Sequence, residues 1–308
     1  MTIYEEFRQQ ISGAVVCLPI LFRDDLSVDY AGIEEYTAWV LEKGLTQTCL
    51  TYGYSLVGFV TPEELMEITR VITGVVGDRG IFISCTLGNS AMETVKAVNE
   101  MQEVGVDAAF VMPNIHYHGG GYPAFLHYVA GQTELPLLFT NDPDFHIPLA
   151  PNVSVDDCES LLEHENIVGL KDDTRIAGFR MELIRRFGDR LCIIGPGTRR
   201  DYLFYHYYPQ QANLDGYFSP TETMRFLGLL DEQKLSEALK LVERQEAAFR
   251  EIHSIPDLEG LAANWVCLHT MGFGESWRVR PPIVSATEQQ AREVSAVVGR
   301  YPDIFEHA

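Results

Sequence analysis

A lysine attacks a carbonyl only where its surroundings keep the amine neutral, and a chain with few lysines makes the search short. This chain has five: Lys43, Lys96, Lys171, Lys234 and Lys240. Four fall in stretches of helical spacing, where a solvated surface amine is the ordinary outcome. Lys171 instead closes the apolar run Ile167-Val-Gly-Leu-Lys171, a candidate strand. At the end of a buried strand, desolvation favours the neutral amine and frees it as a nucleophile. The competing reading is a structural ion pair with Asp172 or Asp173, and position alone leaves both open. A second constellation, His116-Tyr117-His118 followed by Gly119 to Gly121, could hold a divalent cation together with His146 or Asp142. A polar loop shaping a pocket is the favoured reading there, because no further carboxylate-and-histidine motif completes a ligand set; no metal is expected. Gly195-Pro-Gly-Thr198 precedes the aromatic-rich stretch Asp201–Tyr208. A phosphate at that helix N-terminus is one reading; the aromatic stripe suits packing or subunit contact better than a cofactor box.

Positioning such residues takes a scaffold. Short apolar runs recur at 14–20, 46–50, 81–85, 107–112, 136–140, 167–171, 190–194 and 214–219. They are mostly unalternated, as strands buried on both faces are. Between them lie helical patterns with start signals. Thr61 and Glu64 form a capping box around Pro62, and Ser90 starts a segment with Met92, Val95, Val98 and Met101 on one face and Gly105 as its stop. Ser154 and Asp157 repeat the plan. Eight strand–helix units at about 30-residue spacing predict a closed (β/α)8 barrel, whose active site lies where the strands end. An open doubly wound sheet is the alternative, but no GxGxxG follows the first strand. After residue 220 the alternation stops and added helices are expected. The chain is therefore divided into a barrel over 1–225 and a C-terminal helical extension over 226–308.

Composition narrows the partners. The 308 residues carry 44 acidic and 23 basic side chains, a formal net charge of −21. No basic stripe can neutralise a phosphate backbone or an anionic bilayer, so nucleic acid and membrane surfaces are excluded as partners. No apolar run reaches the ~18 residues of a membrane span, and MTIYEEFRQQ is too charged for a signal peptide. The six cysteines (Cys17, Cys49, Cys85, Cys158, Cys192, Cys267) show no CxxC and read as reduced, buried thiols of a cytoplasmic protein.

In order and spacing, Val168-Gly-Leu-Lys-Asp-Asp173, Pro136-Leu-Leu-Phe-Thr-Asn-Asp-Pro143 and Leu50-Thr-Tyr-Gly-Tyr-Ser55 resemble the dihydrodipicolinate synthase/N-acetylneuraminate lyase family of class I aldolases. The resemblance runs from Gly13 to about Pro282. It implies that Lys171 is the Schiff-base lysine, with no cofactor, and that a 2-oxo acid carboxylate is seated by the loop containing Thr51 and Gly53. It also implies pocket contacts from Thr140 and Asn141 after strand five, Gly195 after strand seven and Phe218 at the eighth, and a homo-oligomer, dimer or tetramer. Three family features depart. The second loop threonine is Tyr52 and the loop glutamate is Tyr54. The proton-relay tyrosine after strand five is Thr140. No arginine follows in Pro143-Asp-Phe-His146, which argues against dihydrodipicolinate synthesis itself. The first two losses suggest an exchange in which Tyr52 supplies the phenol from the opposite wall and Thr140 holds it. The resulting expectation is a Schiff-base lyase, an aldolase or dehydratase, acting on a small 2-oxo acid such as pyruvate or a keto-sugar acid. The alternative is a non-catalytic or regulatory keto-acid-binding relative.

Overall fold

The computed structural model describes residues 2–112, 121–141, 153–174 and 176–307. Eight strands, β1 (Gly13–Cys17), β2 (Gln47–Cys49), β3 (Ile81–Cys85), β4 (Ala108–Val111), β5 (Leu137–Asn141), β6 (Ile167–Asp172), β7 (Cys192–Gly195) and β8 (Gln211–Leu214), pair in parallel and in chain order. β8 returns to β1 and closes the barrel. A helix α1 (Ile3–Gln10) precedes β1, and α2 (Tyr30–Glu42), α3 (Pro62–Val76), α4 (Ala91–Val104), α5 (Gly121–Ala130), α6 (Val155–Leu161), α7 (Ala177–Phe187), α8 (Arg199–Tyr205) and α9 (Pro220–Asp231) each follow a strand. α10 (Leu235–His253), α11 (Gly260–Met271) and α12 (Glu288–Arg300) complete the chain. The expected (β/α)8 barrel with added C-terminal helices is the architecture.

Local chemistry explains where the helices begin. Thr61 with Glu64, Ser90 with Glu93 and Ser154 with Asp157 form reciprocal capping boxes at the starts of α3, α4 and α6. Gly105 ends α4 in the left-handed conformation. One residue of the α4 stripe departs: Val98 and Met101 are buried, but Met92, in the first turn, is 75% exposed. The larger difference is the last strand. β8 is Gln211-Ala-Asn-Leu214, and most of the 214–219 run forms the loop beyond it. Gln211 and Asn213 point outward from the barrel, where Gln211 accepts from Arg180 of α7 and Asn213 accepts from the Gly197 amide at 3.1 Å. A strand whose outer face is made of hydrogen-bonded amides lacks the apolar signature of the other seven.

Registers set what shares the barrel interior. Cys17 lies beside Cys49, and Lys171 between Thr140 and Ile194. Side chains alternate along each strand, so these residues face inward while Asn141 and Asp172 face the helices. Gly169, two residues below Lys171, admits no side chain: a Cβ there would lie 2.5 Å from the Cys192 carbonyl oxygen. The C-terminal helices brace the same end of the barrel. Trp265 of α11 donates to the Ile20 carbonyl beyond β1 at 3.0 Å, and Phe218 packs against Phe249 of α10 and Phe305. Among the described residues, no helix is long and apolar enough to cross a membrane.

Candidate active site

At the C-terminal end of the strands, β6 carries Lys171 into the mouth, 9% exposed. Its amine contacts the Asp173 carboxylate, whose other oxygen, Oδ1, is buried without a partner among the described residues. Asp172 faces the other way. It accepts from the Thr174 hydroxyl at 2.7 Å and amide at 3.2 Å, and burial raises its pKa despite those bonds. Of the two aspartates open as ion partners, the structure therefore brings Asp173 to the lysine.

Across the mouth, the β1 and β2 ends make a small neutral network. The Cys17 thiol lies 3.1 Å from the Thr51 hydroxyl and 3.2 Å from the Ser55 hydroxyl, and Ser55 Oγ accepts from the Thr51 amide at 2.9 Å. Burial pushes the Cys17 thiol up, but hydrogen bonds with Cys49, Ser55 and Thr51 and the charge of Lys171 leave it below its ordinary value. Burial drives its neighbour Cys49 well above. The loop after β2 takes its left-handed turn away from Gly53. Its left-handed residue is Leu56, with φ of 63°, whose amide donates to the Gly53 carbonyl at 3.1 Å.

The proposed exchange between Tyr52 and Thr140 is not made. The Tyr52 ring folds onto its own loop, so that a Cβ on Gly58 would lie 2.8 Å from the phenol oxygen, and burial raises its pKa. The Thr140 hydroxyl faces the Met112 sulfur at 3.5 Å. A different phenol, Tyr122 of α5, receives the Thr140 amide and donates to backbone carbonyls beneath it. Gly58 leaves the space that the Tyr52 ring occupies, which spacing along the chain does not reveal.

The remaining expected contacts divide. Thr51 and Thr140 reach the mouth. Asn141 does not: it is buried outside the barrel, where its carboxamide holds the Val153 backbone at 3.2 and 3.3 Å. Gly195 packs under Arg180 and Asn213, a Cβ there lying 2.6 Å from the guanidinium. Gly197 and Thr198 of the same loop line the cavity in its place. Gly53 and Phe218 also line that cavity, which measures about 660 Å³ and runs from Cys17 to α10 and α11. Ser55 at the mouth and Asn264 in the cavity wall are candidate site residues that the sequence does not mark, and Asp173 enters the sequence reading only as a structural ion partner of the lysine. Asp173 alone left a signal, its adjacency to the lysine. His116, Tyr117, His118, Asp142 and His146 lie outside the described residues. Among the described residues, no group of three or more histidine, cysteine or carboxylate side chains is placed to hold a metal ion.

Beside the cavity Arg199 is enclosed by carboxylates. It donates to Asp215 through two nitrogens at 2.6 and 3.0 Å, to Glu222 at 2.5 Å and to Thr223 at 2.7 Å. Burial raises the Glu222 pKa, and Arg199 counters part of that rise.

Fold and site together define a parallel barrel with a buried lysine at the end of its sixth strand. The model of the dihydrodipicolinate synthetase family matches residues 12–300, and the chain belongs to that family. It is 26% identical over 190 residues to an uncharacterized DapA-like lyase of Pyrobaculum arsenaticum, covering 60% of this chain and 61% of that protein. It is 25% identical over 199 residues to a 4-hydroxy-tetrahydrodipicolinate synthase of Psychrobacter arcticus, covering 63% and 64%. The chain thus aligns with less than two thirds of the length of these curated relatives. The crystal structure of dihydrodipicolinate synthase from Aquifex aeolicus superposes with a TM-score of 0.82 at 18% identity, covering 96% of this chain and all of that one. A prophage protein of the same family from E. coli K12, solved in complex with pyruvate, gives 0.80 at 16% identity, covering 94% and 98%. At such identities these two structures speak to the fold.

Proposed function

We propose that the protein is a Schiff-base-forming lyase acting on a small 2-oxo acid, with Lys171 as the nucleophile. The observation that carries this reading is a lysine amine buried at the end of β6 against one carboxylate, Asp173. In the proposed reaction Asp173 takes the proton of the ammonium group. The neutral amine adds to the ketone carbon, and the carbinolamine loses water as Asp173 returns the proton, leaving an iminium. In aldol cleavage a base removes the proton of the C4 hydroxyl, the C3–C4 bond breaks and its electron pair enters the enamine as the aldehyde departs. Protonation at C3 and addition of water then release pyruvate and the free amine. Dehydration uses the same electron sink for a C–O bond. The iminium itself stores the electron pair, so the reaction requires no cofactor or metal.

Asp173 rather than Tyr52 is the proton carrier in this reading, because its carboxylate contacts the amine. Thr51, Ser55 and the amides of the loop through Gly53 seat the carboxylate. The main activity is taken to be other than dihydrodipicolinate synthesis, since Pro143-Asp-Phe-His146 offers no arginine for a second carboxylate. A cytoplasmic homo-oligomer, dimer or tetramer, belongs to the same reading; the exposed rings of Phe204 and Tyr207 support association. A second reading, a keto-acid-binding relative without turnover, is favoured by the same Lys171–Asp173 contact taken as a permanent ion pair. Borohydride reduction in the presence of pyruvate separates the two. A reduced adduct supports the lyase, and its absence with every 2-oxo acid tried supports the binding relative.

A further inference from the structure

All six cysteines are buried, and three of them, Cys17, Cys49 and Cys85, close the adjacent strands β1, β2 and β3 at the end of the barrel that carries Lys171. Burial raises the pKa of five of the six thiols, as it does for inert structural cysteines. Cys17 is the exception. Burial pushes it up too, but hydrogen bonds with Cys49, Ser55 and Thr51 and the Lys171 charge outweigh that. Of the six, it is also Cys17 that lines the cavity of about 660 Å³, so a solute of a few atoms can arrive at its sulfur.

Register gives this thiol one partner. Cys17 stands directly opposite Cys49 in the parallel β1–β2 pair. Neighbouring strands lie about 4.8 Å apart, inside the roughly 4.4–6.8 Å between Cα atoms that a disulfide spans. Both side chains face inward, and the Cys49 thiol already hydrogen-bonds to the Cys17 sulfur. Cys85 is out of step, because the residue opposite Cys49 in β3 is Ile83. Two residues of strand rise put the Cα atoms of Cys49 and Cys85 about 8 Å apart, past the ~7 Å at which a bridge requires the backbone to move. The Cys17 sulfur also holds the loop after β2, at 3.1 Å from the Thr51 hydroxyl and 3.2 Å from that of Ser55. In a disulfide it has no S–H to donate and is turned toward Cys49, so the loop loses a bond that fixes it.

We propose that Cys17 and Cys49 are a redox pair, oxidised by a hydroperoxide to a disulfide that loosens the Thr51–Ser55 loop. The Cys17 thiolate attacks the peroxide, the O–O bond breaks and hydroxide leaves, giving a sulfenic acid at Cys17. The Cys49 sulfur then attacks the sulfenic sulfur. The S–S bond forms, the S–O bond breaks, and the oxygen departs as water with the Cys49 proton. Two thiols and one hydrogen peroxide give one disulfide and two waters, the two electrons passing from sulfur to oxygen. That the loosened loop is a carboxylate seat rests on the lyase reading above.

The test treats the full chain with hydrogen peroxide, alkylates the remaining thiols in denaturant and maps the peptides without reduction. One bridge, Cys17 to Cys49, is expected, with Cys85, Cys158, Cys192 and Cys267 alkylated and the bridge reversed by dithiothreitol. Six alkylated thiols, a bridge between any other pair, or a sulfinic acid at Cys17 without a bridge would each overturn the proposal, and none of these needs a variant to fold. Cys49→Ser removes the resolving thiol, so the sulfenic acid at Cys17 should persist and be captured by dimedone; capture at a different cysteine would overturn it. Borohydride trapping at graded pyruvate reads the loop. The half-saturating concentration should rise roughly tenfold on oxidation, the size of one lost hydrogen bond, and return with dithiothreitol. No rise in a bridged protein would overturn the effect on the loop. If the reduced protein traps no 2-oxo acid, the lyase reading falls, and the peptide map alone decides the redox pair.

Discussion

Two buried ionic groups stand at the same end of this barrel, and their chemistry differs more than their burial. Arg199 and its carboxylates Asp215 and Glu222 have side chains 1, 8 and 6% exposed; Lys171 and Asp173 are 11 and 10% exposed. The arginine is planar, makes four close contacts and does not give up its proton. That cluster welds the start of α8 to the loop after β8 and to α9. The lysine has a transferable proton beside a carboxylate; an unpaired oxygen is common to both groups, since Asp173 Oδ1 and Glu222 Oε1 are each buried without a partner among the described residues. Burial of charge is common to both, so burial alone does not mark the reacting group. In the proposed reaction what marks it is a proton that can leave, next to a group that can take it.

That comparison can be broken most sharply by Lys171→Arg. The substitution keeps the charge and a route to Asp173 but removes the transferable proton, so adduct formation with 2-oxo acids should vanish while circular dichroism stays native. An adduct persisting in this variant would mean that another amine reacts. Asp173→Asn probes the partner. It should slow the proton-transfer steps by roughly 10²–10⁴ without unfolding the barrel, read as turnover of the substrate pyruvate is released from. Tyr52→Phe, measured alongside, should leave turnover close to that of the unmodified protein. The opposite ranking of these two variants would restore the phenol relay and remove Asp173 from the mechanism. For the structural cluster, Arg199→Met should cost about 3–5 kcal/mol by leaving buried carboxylates unpaired, seen as a lower denaturant midpoint. Its remaining folded fraction should still be trapped by pyruvate. Loss of trapping in a folded Arg199 variant would show that the two clusters are not separable.

The smallest effect belongs to the Glu64–Arg280 pair, which ties α3 to the chain after α11 at 2.7 Å through both nitrogens. The Arg280 hydrogen bonds hold the Glu64 carboxyl below its ordinary value of 4.5. A carboxyl lowered in the folded state stabilises above the unfolded value, and that contribution is lost as pH falls through the folded one. Glu64→Gln should therefore cost about 1 kcal/mol near neutrality, including its share of the capping box. The gap between the two proteins should close as the pH is taken below 4.5. A gap that stays constant with pH would assign the cost to the cap alone.

How legible was all this in the chain? Seven strands announced themselves because each is a short apolar run buried on both faces. β8 did not, because Gln211 and Asn213 face amide and guanidinium partners that come from α7 and from the loop after β7. Lys171 was legible because a lone lysine at the end of an apolar run contrasts with its neighbours. The partner was narrowed to two adjacent aspartates, and strand alternation decides between them: Asp172 turns to Thr174, whereas Asp173, just past the strand, returns to the mouth. Asn264 and Ser55 carried no signal. A neutral polar residue acquires meaning from what lies opposite it, and here those neighbours are far away in sequence. Tyr52 shows the reverse hazard, a residue of the right chemistry whose ring lies against Gly58 six residues on.

The central claim is that Lys171 attacks a 2-oxo acid, and the most direct test is to locate the label. The full chain is incubated with pyruvate and reduced with borohydride, and its peptides are mapped by tandem mass spectrometry. One modified residue is expected, Lys171, with Lys43, Lys96, Lys234 and Lys240 unlabelled because they are surface amines without a neutralising site. A label on any of those four, or no label with any 2-oxo acid, would contradict it.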